Sequence, residues 1–464
     1  MEKGGLGKKL FNIQIDNFGP INHAEFDIKP LTVFTGPNNS GKSYSSMLIH
    51  ALTHYIPESQ KGIVPDFWSD LTVKSLEKLL EYIQGDVIEP ELSVFAEIDD
   101  YLKQQPSKSD MLHIKKTSIN FLIKEGIGKF YIELLQQKIE SSFDSKLSKL
   151  VSHGENNFKI HLNDDFEAKF SSDYLEIVHF PEINFKHLEK IYYPNIRFKV
   201  NEENVLLDLD YEDLINKYDD DRRIVILILM QIYLSVGTPI LKKLFKNRSY
   251  YIPTIKSSAL KNLDVSKLDN SEFHNLSERL ESEIIGGNII FMEPSDGFPE
   301  FFYGNKEFKI PIHLASSSIS ELTPIFIYLK KILKKGDTLI LEEPEAHLHP
   351  ENQRILVKYI VRLINQGLNF IITTHSDYIL EQVANMVLLK DVPEKDRIKE
   401  FGYERDDFLD REQVGIYLFE KKGFKGYITE EIEIGELGIP ESSFTHVIDS
   451  LYGESHNIKK YLFG

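Results

Sequence analysis

Cysteine is absent from all 464 residues, so neither a disulfide nor a thiolate metal site can be built. That fits a reducing interior, and the expectation is a cytoplasmic protein. No secretion signal is expected either, since the opening "MEKGGLGKKLFNIQIDNFG" carries lysines but no apolar stretch with a small-residue cleavage pattern. Positive charge is short, 54 Lys and Arg against 72 Asp and Glu, for a formal net charge of -18. This excludes a surface that is basic throughout, which non-specific duplex binding usually requires, so any DNA contact has to be local. The basic clusters Lys242 to Arg248 and Lys330 to Lys335 read as solvated faces. Only Ile224 to Leu241 forms a long uncharged run, and Gln231, Ser235, Gly237, Thr238 and Pro239 cut its apolar core below the ~20 residues a bilayer needs. It reads as a buried helix of a soluble core, and no membrane is expected. Internal repeats and low-complexity segments are also lacking.

What is present is enough apolar surface, 41% of residues, for two or three domain-sized units or one large domain with an insertion. Leu10 to Ile15, Ala24 to Ile28 and Leu31 to Gly36 read as strands, and a helix opens at Ser43. From about Pro65 to Leu150 the apolar spacing turns helical, as in "VKSLEKLLEYI" and "FYIELLQQKIESSF", without sustained heptads. "FKIHL", "FEAKF" and "LEIVHF" suggest an antiparallel sheet between about Asn157 and Leu209, and "SYYIPTI", "NIIFME" and "EFKIPIHLA" are further strand candidates. From Gly336 onward "DTLILEE", "PENQRILVKYIVRLINQG", "NFIITTH", "SDYILEQVAN" and "MVLL" alternate strand and helix, the order of parallel α/β units. A terminal hairpin, "VGIYLFE" and "GYITEEIEI", turns through "GFKG". The expected organisation is residues 1–55, 56–155 as a helical insertion, 156–300 as a β/α middle lobe, and 301–464.

The chemistry concentrates at "GPNNSGKS", Gly36 to Ser43, which matches G-x-x-x-x-G-K-[ST] between an apolar strand and a helix. Glycines let such a loop turn its N–H groups onto phosphate oxygens, reinforced by the positive end of the following helix. Gly36, Pro37, Asn38, Asn39, Ser40, Gly41, Lys42, Ser43 and Tyr44 are therefore the candidate nucleotide-binding residues. Lys42 would lie along the β- and γ-phosphates of ATP, and Ser43 would offer its hydroxyl to Mg²⁺. A second strand, "TLILEE", ends in Glu342 and Glu343, at the edge where ligands collect in open α/β sheets. Glu342 would hold the Mg²⁺ shell; Glu343 would align or activate the attacking water. A rival reading groups His347, His349, Glu343 and Glu345 as metal ligands, since His-x-His can serve as a ligand pair. A glycosidase fits less well, because adjacent acids do not flank a bond from opposite sides. His375 ends the strand "FIITTH", where it can sense a γ-phosphate. "LASSSISEL", with Ser316, Ser317 and Ser318, opens an apolar helix and by itself reads as an N-cap that can also bind phosphate.

Together these segments resemble the ABC-type ATPase heads of the OLD, RecF and SMC group, especially the OLD-like AAA ATPase branch found in prokaryotic anti-phage defence. "IDNFGPI" with "LTVFTGPNNSGKS" is similar to the group's first strand and Walker A loop, "LILEEPEAHLHPENQ" to its Walker B and D-loop, and "IITTHSDYIL" to its H-loop. The resemblance covers the first fifty or so residues and about Pro311 to Leu389. It implies an α/β P-loop NTPase head with an antiparallel β subdomain and a helical insertion. It also implies a homodimer or higher even oligomer, in which Ser316 to Ser318 close over a partner's ATP. The pattern usually carries glycine where Ser318 stands. The Q-loop glutamine has three candidates, Gln84, Gln104 and Gln136. A Toprim nuclease is not expected, since the roughly ninety residues after His375 contain no Asp-x-Asp; such pairs fall earlier, at Asp208 and Asp210 and at Asp219 and Asp221. "NKYD", Asn216 to Asp219, matches a guanine reader by chance, without a preceding strand. Three functions compete: a defence ATPase controlling a separate nuclease or toxin, a RecF-like DNA-repair ATPase, and a slow-turnover scaffold.

Overall fold

A computed structural model describes residues 9–53, 97–98, 100–101, 103–104, 111–163, 166–171, 174–179, 185, 196–209, 249–253, 271–292, 300–305, 307–422, 426–436, 438–439 and 453–461. The Ile224–Leu241 run, the Lys242–Arg248 cluster, the Asn216–Asp219 match, Gln84 and residues 56–96 of the expected helical insertion lie outside the described residues. The chain divides into two units, one of residues 1–50, 151–155 and 247–464, the other of 51–150 and 156–246.

The first unit opens with β1 (Phe11–Phe18) and β2 (Ile21–Ile28), an antiparallel hairpin in which Phe18 pairs with Ile21. Phe11, Ile13 and Ile15 are buried while Asn12, Gln14 and Asp16 are not, the alternation of a strand with one dry face. β3 (Leu31–Thr35) is buried at every position, as a central parallel strand should be, and α1 (Lys42–Thr53) comes after the loop that leaves it.

In the second unit, β4 (Leu112–Lys115) stands where the sequence reads as helix. Leu112 and Ile114 are buried between exposed His113 and Lys115, and that short alternation pairs with a strand some ninety residues later. α2 (Lys116–Ile123) and α3 (Lys129–Phe143) come next. β5 (Asn157–Leu162), β6 (Phe166–Ser171) and β7 (Tyr174–His179) form the expected antiparallel meander, with Phe158 and Phe170 stacked across two strands at 5.0 Å. β8 (Ile196–Val200) and β9 (Asn204–Leu209) pair antiparallel, and β9 also pairs with β4.

The first unit resumes with β10 (Ser249–Ile252), α4 (His274–Ile285), β11 (Asn288–Met292), β12 (Glu300–Gly304), β13 (Lys309–Pro311), α5 (Ser317–Ile327) and β14 (Thr338–Glu342). α6 (Pro350–Asn365), β15 (Asn369–Thr373), α7 (Asp377–Leu388), α8 (Glu394–Lys399), β16 (Val414–Lys421) and β17 (Tyr427–Glu431) complete it. Its main sheet runs β10-β14-β15-β3-β16-β17-β2-β1, with parallel pairing from β10 through to β16. The terminal hairpin is therefore internal: β16 lies beside β3 and β17 beside β2. One apolar core joins the sheet's Leu339, Leu341, Phe370 and Ile372 to Leu356, Ile360, Ile379 and Val383 of α6 and α7.

"MVLL", Met386 to Leu389, is a correction. It does not form a strand but ends α7 and enters a short 3-10 turn. Ile379, Leu380, Val383, Met386 and Val387 are all buried at helical spacing, with no glycine or proline from Asp377 to Leu388 to stop the helix. Among the described residues of this unit, two ion pairs have both partners buried. Arg362 grips Asp407 through Nε and Nη2 at 2.6 and 2.8 Å, and Lys330 Nζ lies 2.7 Å from the Glu281 carboxylate.

Candidate functional site

Three adjacent parallel strands, β14, β15 and β3, end at one level, with Glu342 opposite Thr373 and Thr373 opposite Phe34. The segments leaving these strands therefore gather at one edge: Gly36 to Ser43 after β3, Glu343 after β14, and His375 after β15.

The loop after β3 needs its glycines. Gly36 has φ +132°, and a Cβ there would stand 2.6 Å from the Phe419 carbonyl of β16; at Gly41, φ +111°, a Cβ would meet Ile21 Cγ1 at 2.5 Å. Asn39 also takes a left-handed conformation, φ 59°. Within the turn, Lys42 is buried, and its Nζ donates to the carbonyls of Gly36 at 2.9 Å and Pro37 at 2.8 Å. Burial pulls its ammonium pKa down to about 8, against the opposing pull of Glu343, Glu345 and Glu342. Ser40 Oγ and Ser45 Oγ are buried without a hydrogen-bond partner, and Ser43 is exposed at the helix start. The Tyr44 ring packs edge-on against Phe18 at 6.0 Å and lies over Gly19, where a Cβ would come within 2.4 Å of it.

At the end of β14, Glu342 is 5% exposed and accepts a hydrogen bond from the Tyr251 phenol of β10, whose pKa is driven up by burial and by that carboxylate. α1 supports Tyr251 in turn, through His50 stacked on its ring at 5.5 Å. Glu343 adopts φ +41°, uncommon for a non-glycine residue, and its N–H donates to Thr373 O at 2.9 Å. His375 Nε2 stands 3.7 Å from Glu343 Oε1. Burial and then the Lys42 charge hold the imidazole pKa below its ordinary value, with Glu343 opposing, so the ring is neutral at pH 7.

A cradle of glycines at positive φ, a buried cation held by carbonyls of its own loop, and facing acids fit the phosphates of a nucleotide with its Mg²⁺. A family model described as an AAA ATPase domain matches residues 9–380. The chain belongs to the AAA ATPase domain family. This ATPase shows structural similarity to the SMC head domain from Thermotoga maritima, with 9% identity over 92% of this chain and 100% of that one, at a TM-score of 0.37. It is also similar to an Smc head domain with an extended coiled coil bound to the C-terminal domain of ScpA from Pyrococcus furiosus, with 9% identity over 95% and 98% of the two chains and a TM-score of 0.38. A third similar structure is an SMC head bound to the C-winged helix domain of ScpA, with 11% identity, coverage of 92% and 98%, and a TM-score of 0.37. No curated protein gives a match.

Other residues of the ATPase stand apart from the phosphate loop. Ser316 occupies the N-cap position of α5, yet its hydroxyl makes no capping bond, contrary to the capping role expected for it. Ser316 and Ser317 are exposed, while Ser318 Oγ donates to His347 O at 2.6 Å. None of the three hydrogen-bonds to Gly36–Tyr44. His347 and His349 serve the loop and the helix after it: His347 sits in a left-handed turn, φ 65°, and His349 Nδ1 caps α6 by accepting from Glu351 N. Among the described residues, no group of three or more His, Asp or Glu side chains is arranged to hold a metal ion, which removes support from the four-ligand alternative. Gln104 and Gln136 belong to the second unit. Among the described residues, no helix is long and apolar enough to cross a membrane. The sequence alone does not bring Tyr251 to the site, and it offers Glu345 only as a metal ligand. Tyr251 sits in a strand whose adjacency to β14 has no local signature.

Proposed function

We propose that this ATPase binds Mg-ATP on Gly36 to Ser43 and closes as a dimer around it, each site taking Ser316, Ser317 and Ser318 from the other copy. The observation that carries the reading is the convergence of Lys42, Glu342, Glu343 and His375 at the ends of three neighbouring strands. Lys42 exchanges its two loop carbonyls for β- and γ-phosphate oxygens. Ser43 and Glu342 would hold Mg²⁺, which would neutralise phosphate charge there. Glu343 aligns the attacking water, and neutral His375 donates toward the γ-phosphate. The exposed serines at the start of α5, with the Ser316 hydroxyl unused for capping, supply donors for a partner's phosphate.

The output is regulatory: in a cytoplasmic anti-phage system of the OLD type, ATP-driven closure and release would control a separate nuclease or toxin, with DNA contact at most local. Glu343→Gln should lower turnover about 10²- to 10³-fold while leaving ATP binding intact, and should trap an ATP-dependent dimer in light scattering. Unchanged turnover in that variant would sink the role given to Glu343. A second reading, a slow-turnover scaffold, draws on the Ser318 hydroxyl already committed to His347 O. Turnover measured with and without duplex DNA separates the readings: stimulation favours DNA repair, and negligible hydrolysis favours the scaffold.

A further inference from the structure

Glu345 has no part in the chemistry above, yet its carboxylate ties the 343–349 loop to the segment that leaves β15. Its Oε1 accepts from the Thr374 hydroxyl at 2.7 Å and from the His375 N–H at 2.8 Å. Thr374 Oγ1 in turn accepts from Ser376 N at 3.0 Å, Ser376 Oγ donates to Gln353 Oε1, and Gln353 Nε2 donates to Leu348 O at 3.0 Å. The ring leaves the loop at Glu345 and returns to it at Leu348. Thr374 is fully buried and Gln353 nearly so, so little water competes for these bonds.

His375 depends on this ring. Its Nε2 is 3.7 Å from Glu343, too far for a hydrogen bond, so the backbone sets where the imidazole stands. That backbone is tied at two points: Thr374 N to Phe34 O of β3 at 2.9 Å, and His375 N to Glu345. We infer that Glu345 is a positioning residue for hydrolysis, fixing the spacing of Glu343 and His375 by accepting from Thr374 and from the His375 N–H. The inference rests on the ATPase reading of the site. Burial raises the Glu345 carboxyl above the usual range, in keeping with a role that needs an acceptor more than a charge.

The test compares Glu345→Ala, Glu345→Gln and Thr374→Val in steady-state ATP turnover, with fluorescent-nucleotide binding and thermal melts alongside. Alanine leaves two buried donors unpaired, and kcat should fall about 10- to 100-fold with KM for ATP within about twofold. Glutamine keeps the accepting carbonyl and should restore kcat to within about threefold of wild type. Thr374→Val, which removes the hydroxyl bond to Glu345 and the acceptor of Ser376 N but spares the acid and its bond to the His375 N–H, should fall between them and covers the case in which the alanine variant does not fold. Adding Glu345→Ala to His375→Ala should cost almost nothing further, because both act through one imidazole. A glutamine variant as inactive as alanine, or fully additive losses in the double variant, would overturn the inference while leaving the ATPase reading intact. Absence of turnover in the wild type would remove both.

Discussion

Lys42 is the most costly side chain of the site as long as no phosphate faces it. A lysine that titrates near 8 when folded and near 10.5 when unfolded carries a penalty of roughly 3 kcal/mol at pH 7. Lys42→Met should therefore raise the melting temperature of the nucleotide-free protein by several degrees while abolishing ATP binding, as calorimetry and fluorescent-nucleotide titration would show. Below pH 8 both states hold the proton, and the gap between variant and wild type is constant. From about pH 8 to 10.5 the unfolded chain holds more protons, so wild-type stability gains and the gap closes. The same titration acts on ligand affinity, since the phosphates favour the ammonium form. ATP should bind progressively more weakly as pH climbs past about 8, with proton uptake visible by titration calorimetry in buffers of different ionisation enthalpy; pH-independent affinity from 7 to 9.5 would contradict it. His375 works at the other end of the scale. Its depressed pKa makes the unfolded chain take up the proton first, so its contribution to stability is lost as pH falls below about 6.5.

Between elements, the buried Lys330–Glu281 pair fastens the π-helical turn Tyr328–Ile332, which follows α5, to α4, and Glu281 also accepts from Ile289 N of β11 at 2.9 Å. Lys330→Met strands a fully buried carboxylate and should cost about 3–5 kcal/mol in urea unfolding. The double variant Lys330→Met with Glu281→Gln should regain most of that, because the glutamine carbonyl still serves Ile289. At this scale the sequence is an uneven guide. β3, β14 and β15 are legible because buried parallel strands are short continuous apolar runs that end at a glycine or at polar residues. The P-loop is legible because phosphate binding dictates residue types at fixed spacing. β4 is hidden inside a helical-looking region, since four residues of alternation are too few to outweigh the helical pattern around them. "EFFYG", which forms β12, is obscured between two clearer candidates, and nothing at Asn385 announces that α7 runs on through Met386. Glu345 escapes for a different reason: its partner is a main-chain N–H thirty residues away, and backbone partners leave no signature in residue types.

Across the whole molecule, the internal position of the terminal hairpin matters most. Tyr417 of β16 accepts from Asp27 N at 2.8 Å and packs edge-on against Phe26 at 5.2 Å, while Phe419 packs against Phe34 and its carbonyl crowds Gly36. A chain ending at residue 412 should therefore lose more than two strands, because β3 and β2 no longer share a sheet. Circular dichroism melts should show no cooperative transition, and the product should be insoluble; a soluble, cooperatively melting fragment would show that β16 is dispensable. The same placement bears on synthesis. A ribosome releases β3 and the phosphate loop early, but their neighbour β16 emerges about 380 residues later, after β14 and β15 have passed. The nascent ATPase must hold an apolar strand with an open flank through most of translation, so its phosphate loop should lack its β16 support until that strand arrives.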